Sequence, residues 1–289
     1  MLQRSYTNAP FMAKPVSRSK GIVSGIFSFL AYLCLTGAIL CLLGASLAAN
    51  TSFHESVMDG THYTENFKNA IISGLNEIGL GLGIDEETVK TTLRNETVSK
   101  DIDASIEATL HGEVYDADID AFKSALTEAA KEELTAKGIP ITADVQQNLE
   151  EIVEQYGRKF VDSLQPSAML KVYRTLPKFE TPLYIGGSVL LLLFILFIVL
   201  IHVVNRSAHR SIRYDLFALT AGGGSCILIS AFVFANDMIY RIPIRFEPLY
   251  TYLAAVFGTI FTALLVTGIV ITVLSLAILL PVYFKTDDN

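Results

Sequence analysis

Cysteine is scarce in this chain, and its placement matters more than its number. All three, Cys34, Cys41 and Cys226, sit in uncharged apolar runs, so the long polar stretch 50–181 has no disulfide available. A domain built that way must be held together by helix packing alone. Charge is missing elsewhere: four runs, within 21–49, 182–204, 216–235 and 250–284, have no Asp, Glu, Lys or Arg near their centres. That absence argues against a proton- or ion-coupled transporter, which places ionisable side chains at mid-membrane. It leaves a lipid path open. Sustained two-residue alternation is absent as well, so no segment of the polar stretch reads as a half-buried strand.

What is present is apolar and blocked. Hydrophobic residues make up 51% of the 289, with a mean hydropathy of +0.44. Runs of this length exceed what a globular core uses and match a hydrocarbon layer of about 30 Å at ~1.5 Å per helical residue. The chain therefore reads as a tail (1–20), a first span (21–49), a polar domain (50–181), a second span (182–204), a basic loop (205–215), a third span (216–235), a short loop (236–249), a fourth span (250–284) and a tail (285–289). Charge orients it. Residues 49–181 carry 24 acidic and 12 basic side chains, a net of −12, while the remainder carries 5 and 10, a net of +5. Arg4, Lys14, Arg18 and Lys20 precede the first span, and Arg206, His209, Arg210 and Arg213 follow the second. By the positive-inside bias both flanks stay in the cytoplasm and the polar domain is extracytoplasmic. Ser46-Leu47-Ala48 has the look of a signal-peptidase site, but the run before it is longer than a signal peptide's, which favours an uncleaved anchor.

Within the polar domain the apolar residues recur at helical spacing. Helices are expected over 65–78 (Phe67, Ile71, Leu75, Ile78), from Asp85 as N-cap to about Arg94, from a Ser99 cap through Ile102, Ile106 and Leu110 to a stop at Gly112, over 118–137 (Ile119, Phe122, Leu126, Ala130, Leu134) and over 142–164 (Val145, Leu149, Ile152, Tyr156, Phe160, Leu164). Gly79 to Gly83 should break the first of these, and a piece near 167–176 should lead through Pro177 and Pro182 into the membrane. The expected fold is all-α: an integral membrane four-helix bundle with an inserted all-helical extracytoplasmic domain. The fourth span is longer than a membrane core and must tilt, bend near Pro281 or project, with Tyr250, Tyr252 and Tyr283 at interfacial positions.

Few residues point to chemistry. Asp116, Asp118 and Asp120 open like a calcium loop, but its sixth and twelfth positions are Ala121 and Thr127 rather than Gly and Glu, so an acidic helix start is the simpler reading. Gly79 to Gly83 lacks a preceding strand and a P-loop lysine. The outer mouth of the bundle is the best place for a site: His54, Glu55 and His62 follow the first span, and Asp237 and Arg241 lie between the third and fourth. They are the candidates for acid–base catalysis, although the spacing of His54 and His62 matches no metal motif and no cofactor or metal is expected. Tyr240 to Phe246 alternates, so an extended segment would turn Arg241 and Arg245 together toward lipid phosphates or the acidic domain. Small residues four apart, among them Gly37 with Cys41 and Ala218 with Gly222, suit close helix packing, and Gly222-Gly223-Gly224 is a candidate flexible point.

In layout, and in the run Asp101, Ile102, Asp103, Ile106, Leu110 and Gly112, the chain resembles a broad group of functionally uncharacterised Gram-positive bacterial membrane proteins with one span, a helical exported domain and three further spans. The resemblance implies the fold and a bacterial cell membrane and brings no activity. The reading that follows is a multi-pass, non-enzymatic envelope protein that binds, senses or assists through its acidic domain. Its expected partners are the bilayer and other envelope or membrane proteins, and the acidic charge excludes nucleic acid. An enzyme acting on lipid or lipid-linked substrate at the outer mouth is the alternative. A channel or transporter component is the third reading, for which the spans offer only Ser, Thr and Gly as polar lining.

Overall fold

The computed structural model describes residues 18–284 apart from 49, 83, 166, 206, 242 and 245, so nearly all of both expected tails lies outside the described residues. Among the described residues every regular element is a helix and no strand occurs. In chain order these are α1 (Arg18–Ala48), α2 (Thr51–Gly60), α3 (Tyr63–Leu82), α4 (Glu86–Arg94), α5 (Glu96–Leu110), α6 (Ile119–Ala136), α7 (Ala143–Leu164), α8 (Ser167–Val204), α9 (Ala208–Ala235), a 3-10 turn (Met238–Arg241) and α10 (Glu247–Phe284). Four of them, α1, α8, α9 and α10, are long and apolar enough to cross a membrane.

The chain forms two compact units. One comprises Met1–Leu40, Gly187–Leu228 and Leu265–Asn289, and the other Cys41–Gly186 and Ile229–Leu264. In the first, small residues let helices approach. A Cβ on Gly223 would lie 2.8 Å from the Gly268 carbonyl, and one on Gly268 would lie 2.7 Å from the Gly223 carbonyl, so this pair sets a backbone-to-backbone crossing of α9 and α10. The triple glycine is continuous helix and a packing surface, not a break in α9. Polar side chains link the helices further: Asn205 Nδ2 donates to Ser24 Oγ at 2.7 Å, Ser28 Oγ donates to the Tyr214 carbonyl at 2.8 Å, and Thr220 and Ser275 hydroxyls pair at 2.8 Å. His202 Nδ1 lies 3.5 Å from Asp215 Oδ2, linking α8 to α9.

The second unit is built on one apolar core. Phe67, Ile71 and Leu75 of α3, Ile102 of α5, Phe122 and Leu126 of α6, and Tyr156 and Phe160 of α7 are all buried in it, as the helical spacing requires. Phe122 and Phe160 stack with centroids 4.1 Å apart, tying α6 to α7. The core continues into Met169 and Tyr173 of α8 and into Leu249, Tyr252 and Val256 of α10. Thus the excess length of α10, 38 residues or ~57 Å as helix, is taken up by first turns that belong to this core. Tyr252, expected at a lipid interface, is 1% exposed and buried among protein side chains.

The local signals explain most helix ends. Thr142 caps α7 and Asp118 caps α6, each accepting from the backbone N–H three residues on. Gly112 and Gly138 follow α5 and α6 in the left-handed region (φ +70° and +71°), and the next residue's N–H returns to a carbonyl five back, closing a Schellman turn in each case. Elsewhere the expectation is corrected. Helix α5 starts at Glu96, capped by Asn95 rather than Ser99, and α3 runs through the glycine pattern to Leu82. Asp85 is the N-cap residue of α4, as expected, but its carboxylate accepts from Lys137 Nζ at 2.8 Å and makes no cap hydrogen bond. Lys137 holds that carboxyl below its ordinary range. Helix α8 passes through Pro177 and Pro182 without a break, and both prolines are exposed.

Candidate functional site

The corner between α2 and α3 organises the site. Asn50 caps α2, whose inward face carries His54 and Met58 four residues apart. At its end Thr61 turns its hydroxyl back onto the Val57 carbonyl at 2.9 Å, His62 takes a left-handed φ of 50°, and Tyr63 opens α3 pointing inward. The corner thereby puts one histidine into the core, one at the surface, and a tyrosine between them.

Beneath the corner lies a chain of buried polar groups. His54 Nδ1 and the Tyr252 hydroxyl are 2.5 Å apart, and the Tyr252 hydroxyl also pairs with that of Tyr173. Each hydroxyl has one proton to donate, so the chain runs either from Tyr173 through Tyr252 to His54 or in reverse. Tyr63 donates to Met169 Sδ at 2.9 Å and sets its ring 5.6 Å from that of Tyr252, edge to face. Burial, and then Tyr252, pushes the Tyr63 phenol well above its ordinary range, so it stays neutral. Three helices, α2, α8 and α10, are thus joined by hydrogen bonds in a setting where an unpaired polar group is costly.

Above Tyr63 opens a cleft of about 530 Å³ between the α2–α3 corner and α4. Its floor is apolar: Met58, Tyr63, Ile72 and Leu93. Asp59, His62 and Glu65 stand on the wall near the corner, while Lys68, Lys90 and Arg94 line it farther along. The cations are paired, Lys68 to Asp103 at 2.9 Å and to the Ser99 hydroxyl at 3.0 Å, Lys90 to Glu86 at 2.7 Å and Arg94 to Glu87 at 3.5 Å. Exposed pairs of this sort are worth little, so the cations can turn to a ligand at small cost. A second, more polar cleft of about 560 Å³ lies across α3, lined by Asn66, Ser73, Glu77, Phe246 and Thr251, and Asn69 borders both.

The candidates named from sequence do not gather in one place. His62 reaches the first cleft; His54 is buried in the hydrogen-bonded chain below it; Glu55 is exposed on α2. Asp237 is exposed in a left-handed turn (φ 50°) after α9, and Arg241 is exposed at the end of the 3-10 turn. Arg245 lies outside the described residues. Among the described residues of 240–246 no strand occurs: Met238–Arg241 is a 3-10 turn, held where the Tyr250 hydroxyl donates to the Tyr240 carbonyl at 3.2 Å. Ile244 and Phe246 still pack against the core, as their apolar character demands. Among the described residues no three His, Cys, Asp or Glu side chains are grouped to hold a metal ion. Asp118, the centre of the calcium-like triplet, serves as the α6 cap.

Nothing local in the sequence marks Tyr63 and Tyr173 as partners of Tyr252; Met169 and Tyr173, four apart at the start of the helical piece that leads into the second span, are the available sign. Comparison of the chain with protein-family models, with curated proteins and with solved structures found no match.

Proposed function

We propose that the protein is a non-enzymatic, membrane-anchored binding and sensing protein of the cell envelope, whose acidic helical domain takes up a ligand in the 530 Å³ cleft and passes its occupancy to α10. The observation that carries this is Tyr63: it forms part of the cleft floor, and its ring packs on Tyr252, a residue of an apolar helix 38 residues long. A domain that merely hung from the membrane would have no need to take the first turns of α10 into its core. The size and mixed lining of the cleft fit a ligand site. The charge asymmetry of the chain supports an extracytoplasmic domain with both termini in the cytoplasm, and the layout supports kinship with the Gram-positive four-span proteins. Bilayer lipid and other envelope proteins are the partners this reading requires.

The test needs no ligand. Ile72 lines the cleft, so Ile72→Cys in the full-length protein, in nanodiscs, is labelled with a bulky impermeant maleimide as a stand-in for an occupant. Hydrogen exchange over 247–260 should change severalfold relative to the unlabelled variant, and Tyr63→Ala should abolish the response. Identical exchange with and without the label would refute the coupling.

A further inference from the structure

Resting on that reading of the cleft, we propose that its occupant is a short apolar peptide, about three residues long, with both termini free. The order of charges along the cleft gives the class. Helices α3 and α4 are joined by residues 83–85 and pack on one another as a helical hairpin, so α4 returns along α3 from its C-terminal end. Asp59 and Glu65 therefore stand at the corner end of the cleft and Lys90 at the other, with Arg94 one turn nearer the corner along α4 and Lys68 three residues on from Glu65 between them. From Glu65 to Ile72, which lines the cleft floor with Leu93, α3 rises about 10 Å. An extended chain covers ~3.3–3.6 Å per residue, so three residues place an ammonium at the acidic end and a carboxylate at the basic end. Their side chains then lie over Met58, Tyr63 and Leu93, which a strongly charged or sugar-like ligand would leave uncovered. A fatty acid would satisfy the cations and the floor but leave both acids facing apolar chain.

The chain contains no tryptophan, so the peptide Leu-Trp-Leu reports its own binding by indole emission. Titrated into the full-length protein in nanodiscs, it should bind saturably, and N-acetylation or C-amidation should each weaken binding by about tenfold or more. The variants Lys90→Ala with Arg94→Ala should erase the penalty for amidation and keep that for acetylation. Asp59→Asn with Glu65→Gln should do the opposite. This crossed pattern also shows that each variant is folded. Equal affinity for free and blocked peptides, displacement of the peptide by decanoate as readily as by a second free tripeptide, or no saturable emission change would overturn the proposal. None of those results bears on the exchange response to the Ile72 label, and a crossed pattern with a silent α10 would leave the peptide site standing while removing the sensing role.

Discussion

Replacing Tyr252 with Phe tests the buried hydrogen-bonded chain with the least change of shape. The ring and its packing on Tyr63 are kept, and only the hydroxyl shared by His54 and Tyr173 is lost. His54, Tyr173 and Tyr252 are 5%, 6% and 1% exposed, so water cannot easily take the hydroxyl's place. Losing the hydroxyl that both neighbours share, and leaving the buried Tyr173 hydroxyl without its partner, should cost about 2–4 kcal/mol. Tyr63→Phe is the control: it removes one donor to a thioether sulfur, a weak acceptor, and should cost under about 1 kcal/mol. The readout is native-state hydrogen exchange over 54–60 and 249–256, which opens locally when the chain is cut. Tyr252→Phe should accelerate it from roughly thirtyfold to several-hundredfold, and Tyr63→Phe by less than about tenfold. If Tyr252→Phe left exchange unchanged, or if the two variants behaved alike, the chain would not be what joins α2, α8 and α10.

Phe160→Ala removes one ring of the stack with Phe122 at a fully buried position and should cost about 3–5 kcal/mol in chemical unfolding of the domain helices. Gly223→Ala would set a Cβ against the Gly268 carbonyl and should lower the refolding midpoint in mixed micelles by the equivalent of about 1–3 kcal/mol, with Gly224→Ala, where a Cβ meets nothing, as the neutral comparison. The Tyr115 phenol is pushed up from 10.0 to about 12 by burial and by the Asp101 carboxylate that it donates to. The folded state therefore holds this proton where the unfolded state has released it: its contribution is intact below pH 10 and declines as pH rises toward 12. Phenolate absorbance, clean in a chain without tryptophan, should show a late-titrating class that shrinks in Tyr115→Phe, and a stability decline over that window that is shallower in the variant.

The parts of the fold legible in the sequence were those set by local rules. Phe67, Ile71 and Leu75 or Phe122, Leu126 and Ala130 repeat at helical spacing because one face of each helix is buried, and Gly112 and Gly138 end helices because φ near +70° suits glycine. What could not be read was decided by tertiary contact. Asp85 sits at the N-cap as its sequence suggests, yet Lys137, 52 residues away, takes its carboxylate. Tyr252 looks interfacial because its neighbours are span-like, and only the packing of α10 against α2 and α3 turns it into a core residue. His54 and His62 differ by eight positions, yet one side chain is buried and the other borders the cleft, because the left-handed residue between α2 and α3 swings the chain after His54. The cleft itself combines residues from three helices, and no short motif announces such a set.

The most direct test of the account is which side of the membrane the cleft faces. With the native cysteines replaced by serine, Lys90→Cys and His209→Cys are introduced separately and intact cells are treated with an impermeant maleimide. The account predicts that position 90 is labelled at once and position 209 only after lysis. Labelling of 209 with protection of 90 in intact cells would place the domain in the cytoplasm and contradict it.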